Sequence, residues 1–498
     1  MKTSNLAFFA VTVQLITTVF TPLGAKHYPQ YAYIWGTDDW QYTNLTDIRY
    51  HFTSNPEKDG DTNVPNTIQC TERNDINNQD IDNIGSNTPM MDYRLWVPTQ
   101  KELEIEESSR LVTMSDLFRK DIPANGVFIT EVPRSVKSFF TNYKYVAHCG
   151  LSKSNRNMVA IRMAMPHRIL PFVGPDLKVF SSVKPPEILV RHWERKLGSR
   201  VRPRFTCLTK SHGNTTYVCP YPIEQLPLHQ QHVEPDAYYK VLSKRFVSEV
   251  DVTQPKIFTN ATIPCVVKLT HGMGGTAVFL ITNETELQLT QSKIMTTHPD
   301  ADLIVTEMIT DLESPEYSAH FFVDKSGNVT WWEVVELIED ANGHSIGTMW
   351  TKNNGRLRQI MEPFVNKVAQ ALHQNGYYGP AGCDVLHNGR QGYLVDINPR
   401  MTCSMPLCLM AREMERRGWS VGVLTRQRTL DGTLDDVIAR AESISDGEVV
   451  ILSGGELEGG AIMAYVAVFS DSREACEHII SNKLPFICTS SRLSRTER

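Results

Sequence analysis

The stretch GCDVLHNGRQGYLVDINPR, residues 382–400, decides how this sequence is read. Two apolar runs, GCDVLHN (382–388) and GYLVDINPR (392–400), flank a Gly389-Arg390 turn, the pattern of a β-hairpin. Strand side chains alternate faces, so Asp396 and Asn398 project to one side. Asp384, twelve residues before Asp396, sits on the neighbouring strand where it arrives opposite that carboxylate. Two carboxylates and an amide oxygen converging from paired strands make an all-oxygen site. Magnesium wants such hard donors and keeps waters and nucleotide phosphates in its remaining positions. Arg400, two residues further along the same face, adds a fixed cation. Asp-Asn-Pro clusters also cap turns, so the hairpin gains meaning only from what precedes it.

Upstream, IPCVVKLT (263–270) reads as a strand carrying Lys268 near its end, followed by the glycine-rich HGMGG (271–275) and a second strand, TAVFLI (276–281). A lysine beside a loop that exposes the backbone amides of Gly272, Gly274 and Gly275 is a phosphate cradle. The Gly-Lys-[Ser/Thr] order of a P-loop is missing. DLIVTEMI (302–309) runs into Glu307-Met308-Ile309, which offers backbone groups and an apolar wall to a purine edge. Glu316 opens the next strand, EYSAHFFVD (316–324), where it can accept from a ribose diol; WWEVVELIE (331–339) returns as its hairpin partner. Before all of these, DAYYKVLSKRFVSEV (236–250) spaces Tyr239, Leu242, Phe246 and Val250 by three or four, which predicts one amphipathic helix. After the hairpin, helices are expected over 405–417 and 472–480, with a strand at 461–469 between them; a helix over 362–374 precedes it.

Lysine, glycine loop, purine-type strand, ribose-type glutamate and acidic hairpin follow one another in an order that resembles the ATP-grasp superfamily, over residues from about 230 to 415. In that family two α+β subdomains clamp ATP between them. The resemblance implies that Lys268 contacts the α- and β-phosphates, and that His271 to Thr276, with Gly272, Gly274 and Gly275, form the loop closing over them. It implies that Glu307 and Ile309 meet adenine, that Glu316 binds the ribose, and that Lys240 is the earlier phosphate lysine, with Lys244 as the fallback. Asp384, Asp396 and Asn398 become the ligands of two magnesium ions, or of manganese in their place. Asp396 stands where the family most often has Glu, which draws the cations closer to the strand.

The expected fold class is α+β / α/β: an ATP-grasp fold preceded by an α/β domain. Residues 1–230 form that first domain, where short apolar runs such as GVFITEV (126–132) and EILVRHW (187–193) alternate with Pro and Gly. It carries a polar insertion at about 55–92, in which eight of the fourteen residues from Asn74 to Asn87 are Asn or Asp. Residues 231–498 form the ATP-grasp part, with a smaller lid-like subdomain at 231–310 and a larger metal-bearing one at 311–498.

The reaction implied by the resemblance is attack of a substrate carboxylate on the γ-phosphate, then displacement of phosphate from the acylphosphate by an amine. Lys268 and Arg400 are its expected catalytic pair, and an amino acid is one expected substrate, in amide, peptide or natural-product synthesis. Glu336 and Glu339 are candidate bases for the amine. Cys403 and Cys408 lack a neighbouring cation and read as packing residues. A phosphotransferase would require a phosphohistidine segment that the sequence does not display, and a nucleotide-binding protein without catalysis would tolerate loss of the three metal ligands. The small apolar run near the amino terminus is what a secreted binding protein would have.

Composition narrows the partners. The 498 residues carry 50 basic and 56 acidic side chains, net −6, so no overall basic field invites nucleic acid. The expected partners are small-molecule acids and amines, with a homodimer left open. Ten cysteines without a C-x-x-C pair suit neither a disulfide framework nor a zinc ribbon. Lys2 precedes the run Leu6 to Phe20, outlining a signal peptide, but the run is shorter than the roughly 20 residues of a membrane span and includes Thr12, Gln14, Thr17 and Thr18. A cytoplasmic location is the expectation, with a signal or anchor at 6–20 as the competing one.

Overall fold

Eight strands, each antiparallel to its neighbours, make the largest sheet in the computed structural model. Their order is Gly392–Asn398, Gly379–His387, Tyr317–Val323, Val329–Glu339, Ser345–Thr351, Val421–Leu430, Ile462–Ser470 and Glu448–Glu456. The described residues are 31–32, 43–44, 111–133, 139–149, 165–208, 214–273, 277–310, 312, 316–339, 345–457 and 461–484. The chain divides into two compact units, Met1–Ile84 and Gly85–Arg498. In the first, the described part is a short ladder of Tyr31–Ala32 against Thr43–Asn44. The apolar segment 6–20 and the insertion at 55–92 lie outside the described residues. The second unit holds the large sheet and, within it, the acidic hairpin. Among the described residues no helix is long and apolar enough to cross a membrane.

Local chemistry sets the turns of the large sheet. Between Tyr317–Val323 and Val329–Glu339 the chain reverses through Lys325-Ser326-Gly327-Asn328, where Gly327 takes φ +86° and Asp324 Oδ1 accepts from the amides of Ser326 (2.9 Å) and Asn328 (2.8 Å). The helix expected at 362–374 begins earlier, at Gly355, and carries Pro363 inside it. Proline signals a helix start in a sequence, whereas here the helix continues past it with Met361, Val365, Val368 and Leu372 buried. The helix Met405–Arg416 and the strand Ile462–Ser470 are where the sequence puts them. The strands Ser345–Thr351, Val421–Leu430 and Glu448–Glu456, and the helix Leu434–Ser443, were not legible from the pattern, although a capping box of Thr433 and Asp436 announces the last.

A smaller antiparallel sheet, ordered Val278–Ile281, Cys265–Leu269, Leu303–Glu307 and Ile257–Phe258, carries the expected lysine strand. Cys265, Val267 and Leu269 pack with Leu287 and Ile294 of the helix Glu284–Thr297. Alternation therefore turns Lys268 to the opposite face, alongside Val278 and Ile304, its register partners. The residues before 230 form a parallel sheet ordered Arg204–Phe205, Lys178–Phe180, Val127–Ile129 and Tyr217–Val218. EILVRHW opens a helix, Glu187–Leu197, that buries Leu189, Val190 and Trp193. The whole is a mixed α/β architecture.

The single helix predicted over 236–250 is a correction. The chain forms an α-helix at Pro235–Val241, breaks at Leu242-Ser243, and continues as a 3₁₀ segment, Lys244–Glu249. Ser243 Oγ caps the second piece by accepting from the Arg245 amide (3.3 Å), and the Lys244 amide leaves the helical ladder to donate to the Thr270 carbonyl (2.7 Å). Apolar spacing by three and four survives such a break, so periodicity alone could not reveal it.

Candidate active site

The acidic hairpin forms, with a register shift between Asp384 and Val385 that leaves Val395 as the extra residue and brings the two carboxylates opposite each other. Asp384 is the register partner of Asp396, and Gly382 of Asn398, across Gly379–His387 and Gly392–Asn398. Asn398 Nδ2 donates to Asp384 Oδ2 (3.0 Å) and to Asp396 Oδ2 (3.4 Å), while its Oδ1 accepts from Arg400 Nη2 (3.0 Å). Asp384 Oδ1 accepts from Ser318 Oγ (2.5 Å) and Asp396 Oδ1 from the Ile397 amide (2.8 Å). Burial, aided by the charge of Asp396, pushes the Asp384 carboxyl up to about 6, which is the cost of crowding two carboxylates in a dry corner. Tyr238, in the helix Pro235–Val241, donates its hydroxyl to the Pro399 carbonyl (3.0 Å) and so anchors the segment leading to Arg400.

Two lysines face these acids. Lys244 Nζ donates to both carboxylate oxygens of Asp396 and is 10% exposed. Lys268 Nζ donates to the Val395 carbonyl (2.9 Å), one residue from Asp396. Burial lowers the Lys268 ammonium from its usual range; Asp396 opposes that, Lys244 adds to it, and Glu316 and Asp384 oppose it. Lys240, on the helix before the break, sits 50% exposed and pairs with Glu249 (2.7 Å) and Asn375 (2.9 Å). The fallback lysine is the one at the acids.

The remaining expectations divide. His271 and Gly272 line the same cleft as Lys244, Asn398 and Arg400. The His271 ring stacks on Tyr239 (3.8 Å between centroids, 3° between planes), and its Nε2 contacts the Tyr239 carbonyl (3.1 Å). Gly272–Met273 pairs in parallel with His148–Cys149, so the root of the glycine loop is held by a segment more than a hundred residues upstream. A Cβ at Gly272 would lie 2.3 Å from that of Ala277, which explains glycine there. Gly274, Gly275 and Thr276 lie outside the described residues. Glu307 gives its amide to the Lys256 carbonyl (2.8 Å) and accepts from the Lys256 amide (3.3 Å); Ile309 lies in the irregular segment beyond the strand. Glu316, next to Tyr317–Val323, is one of the charges acting on Lys268.

Glu336 does not belong to the site. Val335 is the register partner of Ser318, which shares a row with Asp384, so the neighbouring Glu336 projects to the other face of the sheet. The side chain of Glu339 lies outside the described residues. Cys408 is buried, which pushes its thiol well above the usual range and fits a packing role. Sequence reasoning missed Ser318 and His320, although their period of two on EYSAHFFVD places them on the face of Asp384.

Among the described residues no group of three or more His, Cys, Asp or Glu side chains is set to hold a cation. The donor set is two carboxylates and an amide, hard oxygens with an ammonium already resting on one of them, which fits a divalent ion bound together with phosphate oxygens. Asn398 now presents nitrogen to the carboxylates, and it would serve as a ligand through the oxygen that Arg400 holds.

A family model described as L-aspartate–L-methionine ligase, ATP grasp, matches residues 243–398. The match begins one residue before Lys244 and ends on Asn398, leaving Lys240 outside. No curated protein matches the sequence. Among solved structures, N5-carboxyaminoimidazole synthetase from Staphylococcus aureus complexed with ADP is 15% identical, covering 72% of this chain and 96% of that one, at a TM-score of 0.42. Biotin carboxylase from Campylobacter jejuni is 11% identical, over 51% of this chain and 69% of that one, at 0.37. Pyruvate carboxylase from Rhizobium etli is 14% identical at 0.38 over 50% of this chain, which spans 27% of that enzyme's length. Residues 243–398 are thus similar to the ATP-grasp domain of that ligase family.

Proposed function

We propose that this ATP-grasp chain is an ATP-dependent ligase that joins a carboxylate to an amine, with amino acids as substrates. The observation that carries the reading is the facing of Lys244 and Lys268 against Asp384, Asp396 and Asn398 across one cleft. A triphosphate needs cations on both sides: ammonium groups from one wall, and divalent ions on oxygen donors from the other.

In this reading a substrate carboxylate oxygen attacks the γ-phosphorus, the bond to the β-phosphate oxygen breaks, and ADP leaves. The amine then attacks the acyl carbon, inorganic phosphate departs, and the amine loses a proton as the amide forms. Lys244 exchanges Asp396 for phosphate oxygens, Lys268 neutralises charge gathering on the transferred group, and Arg400 holds the carboxylate end. Divalent ions on Asp384, Asp396 and Asn398 would supply Lewis-acid neutralisation of the phosphates. Closure of the loop after His271 would exclude water and protect the acylphosphate from hydrolysis.

The description of the matched family suggests the first pair to try: L-aspartate as acid and L-methionine as amine. ADP release is measured with single amino acids and with pairs, and the product is weighed by mass spectrometry. Release that requires two partners and yields a dipeptide mass supports the reading. ADP release with no amide product in any pairing removes it.

A further inference from the structure

The large sheet carries two adjacent rows of register partners. One is Asp396, Asp384, Ser318 and Val335; the next is Asn398, Gly382, His320 and Glu333. Gly382 leaves the second row without a side chain between Asn398 and His320, and the imidazole fills the space. A Cβ at 382 would stand 2.8 Å from His320 Nδ1. His320 is fully buried. Its Nε2 lies 2.9 Å from Ser404 Oγ and 3.2 Å from Ser318 Oγ, and its Nδ1 is buried without a partner.

Proton counting fixes the direction of these bonds. A serine hydroxyl has one hydrogen, and Ser318 gives its own to Asp384 Oδ1. The contact between Ser318 and His320 is therefore donated by His320, which makes Nε2 the protonated nitrogen and Nδ1 the bare one. The unpartnered Nδ1 is the nitrogen this assignment leaves without a hydrogen. Ser404, accepting from the same Nε2–H, reaches Thr402 Oγ1 at 3.1 Å. The chain of contacts thus runs from Asp384 through Ser318 and His320 to the segment that follows Arg400, and Arg400 closes it by way of Asn398 and back to Asp384.

We infer that Ser318, oriented by His320, is a positioning residue that pins Asp384 Oδ1 and leaves Oδ2 as the oxygen presented to a cation beside Asn398 and Asp396. The inference rests on the nucleotide reading above. It concerns the inner side of the acidic wall, where groups that touch no ligand set the orientation of one that does. Gln at 320 can keep an N–H donor at the place of Nε2, whereas Leu cannot.

The test is Mn²⁺ binding to the full chain in the presence of ADP, followed by the electron paramagnetic resonance of free Mn²⁺, with no turnover involved. Ser318→Ala, which removes one oxygen atom, and His320→Leu should each weaken Mn²⁺ binding by about tenfold or more, and His320→Gln should restore most of it. Circular dichroism establishes that each variant folds. ¹⁵N chemical shifts of the histidine ring should report Nε2–H with bare Nδ1 in the wild-type protein. Wild-type affinity in folded Ser318→Ala, or an Nδ1–H tautomer, overturns the inference and leaves the ligase reading standing. Absence of ADP-dependent Mn²⁺ binding by the wild-type protein overturns both.

Discussion

The acidic and cationic walls of the cleft are built by different means. On the acidic wall, Asp384, Asp396 and Asn398 sit on paired strands, and the ladder, with its shift between Asp384 and Val385, brings them together. On the cationic wall, Lys268 rides a strand of the smaller sheet, but Lys244 follows a broken helix whose amide bonds to Thr270, and His271 is pinned by Tyr239. One wall is determined by local pattern, the other by contacts between segments remote in sequence. Under the proposed ligase reading, that asymmetry sets a fixed acidic floor against a cationic side whose members would exchange carboxylate for phosphate.

The largest expected effect strikes the fixed wall. Asp396→Asn keeps the size of the side chain and its acceptor for the Ile397 amide, yet removes the charge that meets Lys244. ADP formation should fall by at least about 10³-fold, because both the cation site and the partner of a buried lysine are lost together. Steady-state ADP release and a thermal melt check it: activity near wild type removes the acidic wall from the chemistry, and a collapsed melt reassigns Asp396 to folding.

Lys244→Met attacks the other wall and is expected to cost about 10²-fold in ADP formation, the usual penalty for removing one donor to a developing charge. Its contrast with Asp396→Asn sharpens the division: loss of the lysine should raise the KM for ATP, since Lys244 meets phosphate only after leaving Asp396. A variant with unchanged KM and kcat would show that the ion pair is structural.

How much of this was legible follows the same division. The register shift between Asp384 and Val385, without which a turn at Gly389-Arg390 would set Asp384 opposite Val395, was not announced, but the two strands of the hairpin at 382–400 and their turn were legible. The identity of the helix-borne lysine was not, because the break after Leu242 depends on Thr270, some thirty residues away, accepting the Lys244 amide. Three strands after residue 344 escaped because buried runs such as the interior of Glu448–Glu456 show no alternation that tells an inner strand from a helix. Ser318 and His320 were in plain view, but a serine and a histidine on an apolar strand signal nothing until Asp384 and Ser404 are seen beside them.

Acid tests the interior of the acidic wall. Burial holds the His320 imidazole neutral, its pKa lowered to about 3, against about 6.5 in an unfolded chain. The unfolded state therefore takes up a proton that the fold refuses, so stability is unaffected above pH 6.5 and falls as pH drops toward 3. At pH 4.5 the loss from this group is about 3 kcal/mol. Urea unfolding at pH 7.0 and 4.5 measures it, and His320→Gln should flatten the difference by close to one proton. An unchanged pH dependence in that variant would mean that His320 titrates as an ordinary histidine.

The smallest expected effect decides between two lysines four residues apart. Lys240 has the helical spacing, the sequence position and the charge to be a phosphate ligand, and Lys244 has the contact. Lys240 instead bonds Glu249 and Asn375 at the surface, and exposed pairs of this kind contribute about 0–1 kcal/mol. Lys240→Ala should therefore leave ADP formation within about twofold of wild type and lower the melting temperature by a few degrees at most. Loss of activity comparable to Lys244→Met would require the helix to re-form through Leu242-Ser243 when ATP binds, turning Lys240 inward and freeing the Lys244 amide from Thr270. Hydrogen exchange at the Lys244 amide, with and without nucleotide, separates that motion from a fixed break: protection unchanged by ATP keeps Lys240 on the surface throughout.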